Sequence, residues 1–312
     1  MNNLKKIGLT ALAGSLVAGA VNAAEMSVSG SAGITLSGGD ENATTGNGFT
    51  MGDSLTFSAS GDVNDIGITL SYEIDGLGGA TDNVDDHSIT LDFGDAGTLV
   101  FAGHGGSSAL SARDDVMPTA KEEPWDVVTN ADDDIINGNT QEDMFTYTYA
   151  HDSGFTVVAS YINANAGETA VSYFDYAVEY TGVDGLRLGY AAGTTEITAG
   201  TEIEEDTMFA TYAMGGLTLG LQVSEADSSA ANADLESTGF GVSYQVSDDL
   251  AVSYGNHEID YATNDDQEAY AIGVSYTMGS IGLSGTFNSV DNVSNVNASD
   301  LQSYELGVSF AF

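Results

Sequence analysis

The chain ends Ser303-Tyr304-Glu305-Leu306-Gly307-Val308-Ser309-Phe310-Ala311-Phe312, and the alternation in this stretch decides how the rest is read. Successive side chains of an extended strand point to opposite sides. Tyr304, Leu306, Val308, Phe310 and Phe312 therefore share one face, and Ser303, Glu305, Gly307, Ser309 and Ala311 share the other. The first face is bulky and apolar; the second is small or polar.

The same pattern recurs upstream. Leu217, Leu219, Leu221 and Val223 oppose Thr218, Gly220, Gln222 and Ser224, and Met26, Val28, Ala32, Ile34 and Leu36 oppose Ser27, Ser29, Ser31 and Thr35. Period-two reading yields sixteen segments: 26–37, 50–61, 66–76, 86–94, 97–105, 142–151, 155–163, 170–181, 185–194, 206–214, 217–225, 236–246, 250–258, 267–277, 281–289 and 300–312. Their lengths suit the roughly 9–11 residues of a tilted membrane strand.

Links between the segments alternate in length. Tight ones fall at 62–65, 94–97, 151–154, 181–184, 215–216, 247–249 and 278–280, with eight longer, mostly acidic links between them. An even-stranded antiparallel barrel with both ends on one side of a membrane produces this order. A soluble β-sandwich also alternates, but its link lengths need not, and its apolar faces turn inward. Lipid offers no hydrogen bonds, so a closed barrel with its apolar face outward is the reading adopted. Tyr149, Tyr180, Tyr244 and Tyr276 precede tight turns, where rings can lie at headgroup level.

The opening residues set the compartment. Lys5 and Lys6 precede an apolar run from Ile7 to Val21, with Val21 and Ala23 placed as a small-residue cleavage signal. This predicts an export leader over residues 1–23 and a barrel domain over 24–312. Removing the leader leaves Arg113, Lys121 and Arg187 as the basic residues against 47 acidic ones. Such a balance excludes nucleic acid as a partner, since nothing could neutralise phosphates. There is no cysteine, which removes disulfides and thiolate metal sites.

One link breaks the scale. From about 106 to 141 the chain shows no clear alternation, yet it holds both prolines, Pro118 and Pro124, and the single tryptophan, Trp125. Long irregular loops are usually functional or disordered, and the apolar surface of Trp125 favours order. With this third long loop following Phe101-Ala102-Gly103-His104-Gly105-Gly106, sixteen segments and the terminal strand above, the mature chain resembles a general bacterial porin of the alphaproteobacterial type. The resemblance implies an outer-membrane homotrimer in a Gram-negative cell, with loop three folded into the lumen as an eyelet. It also implies that the barrel-assembly machinery reads the terminal Tyr304, Leu306, Val308, Phe310 and Phe312.

The expected function is passive diffusion of small hydrophilic solutes and ions. In the family pattern loop carboxylates face wall arginines, but here the wall has no such cluster. Candidate constriction residues are Asp114, Asp115, Glu122, Glu123, Asp126, Asp132, Asp133 and Asp134. Candidate lumen-wall residues are Glu73, Asp75, Asp175, Glu179, Arg187 and Glu305. A carboxylate lining concentrates cations and repels anions, so cation preference is expected. No cofactor is required, although Asp114, Asp115, Asp132, Asp133 and Asp134 are candidate oxygen ligands for Ca²⁺ or another divalent cation.

Two other classes fit the sequence less well. A calcium-dependent acidic adhesin should carry Gly-Gly-x-Gly-x-Asp repeats, and only isolated Gly-Gly pairs occur. A barrel enzyme needs a catalytic constellation; the four histidines are scattered, and His151-Asp152-Ser153 reads as a turn.

Overall fold

The computed structural model describes residues 25–40, 48–76, 84–132, 135–136, 143–163, 173–198, 201–230, 233–263 and 265–312. The leader, and with it the 1–23 boundary, lies outside the described residues. Sixteen antiparallel strands close into one barrel, each paired with its sequence neighbours and the first with the last. They are β1 (Glu25–Gly39), β2 (Phe49–Val63), β3 (Ile66–Asp75), β4 (Val84–Asp92), β5 (Thr98–His104), β6 (Met144–Ala150), β7 (Phe155–Ile162) and β8 (Tyr173–Val183). Then follow β9 (Leu186–Thr198), β10 (Thr201–Met214), β11 (Leu217–Ser228), β12 (Leu235–Ser247), β13 (Leu250–Tyr261), β14 (Gln267–Met278), β15 (Ile281–Asp291) and β16 (Leu301–Ala311).

Alternation along each strand sorts the faces as read from sequence. Met208, Ile272, Phe174 and Leu306 are exposed on the outer surface, as is most of their apolar register, whereas Thr207, Asn288, Asp175 and Gln267 on the inner face are buried. Tyr149, Tyr244 and Tyr276 are exposed as expected, and Tyr180 packs against Phe155 with ring centroids 4.7 Å apart. Closure is made by β1 and β16, from Ser31 opposite Ala311 to Gly39 opposite Ser303. Beyond that ladder Gly30 N donates to Phe312 O at 2.9 Å, and Phe312 N donates to Gly30 O at 3.0 Å.

The tight turns follow from local chemistry. Asn64 and Asp65, between β2 and β3, both take positive φ (52° and 65°), the conformation that matches a two-residue hairpin to the twist of its strands.

One expectation fails. The segments 185–194 and 206–214 left a long link between the ninth and tenth strands, yet β9 runs to Thr198 and β10 starts at Thr201. Pairing continues through Glu204 opposite Thr194 and Ile203 opposite Thr195, so this connection is tight rather than long. Glu202, Glu204 and Glu205 look like loop residues by charge. Pairing instead follows the threonines and isoleucines among them, which favour strands.

The packed core lies between loop three and the inner wall. Ala109, Leu110, Ile135 and Ile136 of the loop cluster with Val158, Ala177, Ala191, Ala226 and Ile259 of β7, β8, β9, β11 and β13. Val128 packs with Ala269, Val290 and Val293. Burying a side chain such as Leu110 stabilises by about 1.5–3 kcal/mol, so these contacts give the loop an apolar footing. Trp125 is buried, as its surface predicted, with its ring centroid 4.3 Å from that of His257.

Candidate functional site

Loop three begins with a short helical turn built by two serines. Ser108 N donates to Ser111 Oγ at 2.7 Å, and Ser111 N donates to Ser108 Oγ at 3.1 Å. A helical turn leaves its first N–H groups without partners inside the turn. Here the wall supplies them: Leu110 N donates to Asp175 Oδ2 at 2.8 Å, and Ala109 N to Asp175 Oδ1 at 3.2 Å and to Ser160 Oγ at 2.7 Å. Tyr173 OH also donates to Asp175 Oδ2, at 3.2 Å.

Asp175 is thus on the inner face as predicted, but it is not a water-facing charge. It is fully buried and ends the turn as an acceptor from the opposite element. Its expected role as lumen lining is corrected to that of an anchor. An ionised carboxylate only accepts, and three donors converge on it.

Further along, two wall glutamines grip the loop backbone in both directions. Gln222 Nε2 donates to Arg113 O at 2.9 Å and Asp114 O at 2.7 Å, while Val116 N donates to Gln222 Oε1 at 3.1 Å. Gln267 Nε2 donates to Asp132 O at 2.8 Å and its Oε1 accepts from Asp132 N at 2.9 Å. Ala120 N donates to Ser253 Oγ at 2.8 Å, and Asn288 Nδ2 donates to Glu123 O. These neutral side chains on β7, β11, β13, β14 and β15 were missed. At strand positions facing water Ser, Gln and Asn are ordinary, and only the loop above them reveals their use.

The charges are arranged otherwise than a loop-against-wall reading suggests. Arg113 of the loop donates through Nε to Glu179 Oε1 at 2.7 Å, and Arg187 of the wall donates through Nε to Glu179 Oε2 at 2.8 Å. One carboxylate on β8 therefore joins two guanidinium groups. Arg187 also lies 4.7 Å from the centroid of the Phe209 ring. Lys121 pairs with Glu122 and lies 3.5 Å from Glu305 on β16. All three basic residues of the barrel contact carboxylates. On β3, Glu73 accepts from Ser54 and from Thr56 at 3.3 Å, and Asp75 is exposed at the strand end.

The candidate oxygen ligands of the loop lie on different parts of the wall. Asp114 and Asp115 lie by β11, whereas Asp132 lies by β14, where its Oδ2 accepts from Tyr261 OH; Asp133 and Asp134 lie outside the described residues. Among the described residues of the loop, Glu122, Glu123 and Asp126 bring carboxylate oxygens within 4.8 Å of one another. Burial, with Asp126 beside them, raises both Asp115 and Glu123, to about 6 and about 9, and the two are hydrogen-bonded to each other. Glu123 therefore holds a proton at neutral pH.

A folded value above the unfolded one stabilises most below the ordinary carboxylate range and is lost as pH rises through the folded value. Loop three is thus expected to loosen as pH rises from the ordinary carboxylate range to about 9, first as Asp115 ionises near 6 and then as Glu123 does. The rate of brief closures in single-channel records should rise over that window. Glu123→Gln should flatten its upper part; an unchanged pH profile in that variant would rule the assignment out.

At the opposite end, His151 Nδ1 lies 2.7 Å from Ser153 Oγ and accepts from Ser153 N at 3.2 Å, a local arrangement of the exposed turn.

A family model described as Gram-negative porin matches residues 8–312. No curated protein matches the chain. Among solved structures, OmpT of Vibrio cholerae, described as an in-vitro folded outer membrane protein in trimer form, superposes with a TM-score of 0.72 at 14% identity, covering 93% of this chain and 99% of that one. An anion-selective porin from Comamonas acidovorans gives 0.71 at 15% identity, covering 93% and 100%. A triple mutant of the Rhodopseudomonas blastica porin gives 0.69 at 15% identity, covering 92% and 100%. At these identities the likeness is one of fold.

Proposed function

Because the chain belongs to the Gram-negative porin family and forms a passive channel in the outer membrane, we propose that loop three crosses its lumen as a constriction and that the remaining path favours cations. The hydrogen bonding of the loop backbone to inner-face side chains of β7, β8, β11, β13, β14 and β15 carries this reading. A segment held on so many strands at once spans the interior and leaves its passage on the side of β1 to β4.

That side is lined by hydroxyls in register: Ser29 opposite Thr56, Ser31 opposite Ser54, and Ser58 opposite both Ser27 and Ser71. Its charge includes Glu73, Asp75 and Asp86, the last opposite Glu73, while Arg113, Arg187 and Lys121 each contact a carboxylate. An uncompensated negative lining raises the local concentration of cations. The anion-selective Comamonas neighbour has the same fold, so the sign rests on the lining and not on the architecture.

Reversal potentials across a planar bilayer under a potassium chloride gradient test the sign, and anion preference overturns it. Excising loop-three residues 108–136 tests the constriction: single-channel conductance should rise by about twofold or more as the narrow section is lost. The OmpT neighbour's trimer form supports a homotrimer here, checked by a folded band near three times the monomer mass that collapses on heating. Assembly by the barrel machinery through β16 belongs to the same reading. A divalent cation, where one binds, would be held by Glu122, Glu123 and Asp126, displacing the Glu123 proton, so Ca²⁺ should weaken the cation preference.

A further inference from the structure

Four glycines on the inner face of β11, β12 and β13 lie directly beneath loop three. Gly220 is opposite Gly241, and Gly241 is opposite Gly255, so three adjacent strands lack side chains in one row; Gly239 sits two positions from Gly241 on the same face. The loop occupies the space. A Cβ on Gly220 would overlap Pro118 Cδ, and one on Gly239 would overlap Met117 Sδ. A Cβ on Gly241 would lie 2.9 Å from Pro118 Cδ and 3.1 Å from Met117 Cβ, and one on Gly255 would lie 3.0 Å from Pro124 Cγ. Gly52, also facing inward but on β2, would meet nothing within 4 Å.

Glycine inside a strand costs stability, because it gains no packing and loses the most backbone entropy. Four such positions under one loop need a compensating reason, and the seated residues supply it. Small residues let two backbones approach closely, as they do between packed helices. Both prolines of the chain, Pro118 and Pro124, rest on this trough with stiff rings, so a methyl group added beneath them cannot be absorbed by a rotamer change.

We propose that the glycine trough sets the width of the channel. Gly220, Gly239, Gly241 and Gly255 are positioning residues: they touch no solute, but the depth at which Met117, Pro118 and Pro124 seat fixes how far the loop stands from the wall of β3 and β4, which lies across the ring of strands from β11 and β12. The proposal rests on the constriction reading above. It adds that size selection is written in the wall behind the loop rather than in the residues lining the passage.

Gly220→Ala and Gly241→Ala should lower single-channel conductance by roughly 1.5-fold or more and lower the size cut-off for sugars in liposome swelling, with reversal potential unchanged. Pro118→Ala, which removes the Cδ that the new methyl meets, should restore conductance in the Gly220→Ala background. Leu221→Ala, on the outer face of β11, should change nothing. Gly255→Ala, with its milder contact, serves where the Gly220 variant does not give a heat-modifiable folded band. Unchanged or increased conductance in folded variants, or failure of Pro118→Ala to rescue, overturns the proposal. The loop-three excision separates the two levels. If excision leaves wild-type conductance unaltered, the constriction reading fails; if excision raises it but Gly220→Ala does not lower it, only the trough fails.

Discussion

Asp175→Ala should free the start of loop three and make the amides of Ala109 and Leu110 exchange with solvent on the order of 30-fold faster. Leu110 N would have lost its wall acceptor, and Ala109 N would keep only Ser160 Oγ. A hydrogen bond to a charged acceptor contributes about 1.5–3 kcal/mol, and leaving the donor buried costs a similar amount. Taking about 2 kcal/mol gives the factor, since every 1.4 kcal/mol is tenfold. Local opening of that size would also appear as added noise in open-channel current.

The isosteric change is informative here. Asp175→Asn keeps shape but places an NH₂ group against one of the donors, so it should come close to the alanine variant and not to wild type. Ser160→Ala removes one acceptor from a donor that retains Asp175 and should therefore have the smaller effect. Wild-type protection of both amides in the Asp175→Ala protein would show that the loop is held elsewhere.

Deleting Phe312 should reduce the yield of folded, heat-modifiable barrel on the order of 30-fold. The deletion leaves Gly30 N–H and C=O without the partners they find at 2.9 and 3.0 Å, the last pair of the closing seam. Unpaired backbone groups beside lipid cost several kcal/mol each, and water at the barrel end reduces this to an assumed ~2 kcal/mol. Phe312→Ala separates closure from recognition. It retains the backbone pair, so it should fold from urea into detergent nearly as well as wild type. If the assembly machinery reads the ring, the same variant should assemble poorly in cells. Normal assembly of Phe312→Ala in cells would remove the side chain from the signal.

Strand count, register and most turns were legible because each depends on local alternation that lipid and water enforce on opposite faces. The link between β9 and β10 was not, because a run of carboxylates has the composition of a solvent-exposed loop. Glu205 faces inward, buried, with Thr195 Oγ1 donating to it at 3.0 Å, and a carboxylate can occupy a strand once such donors are opposite. For the candidate site, alternation put Glu73, Asp175, Glu179, Arg187 and Glu305 on the face opposite the apolar one. It could not say which would meet water. Asp175 and Glu179 look alike in alternation, and only the path of loop three makes one a buried anchor and the other the junction of two arginines. The glycines were equally opaque: Gly220 and Gly52 occupy the same kind of inward position, and the difference lies in what passes above them.

The tethers divide the barrel wall unequally. All those described reach β7 to β16, and among the described residues no side-chain hydrogen bond joins the loop to β1 or β2. A mutation on the tethered arc is constrained twice, by folding and by transport. One at Ser29, Ser31 or Ser58 disturbs none of these tethers. Lineages carrying this barrel could therefore adapt to new nutrients or toxins by exchanging residues on that arc, and engineers could graft binding groups there, without renegotiating the scaffold.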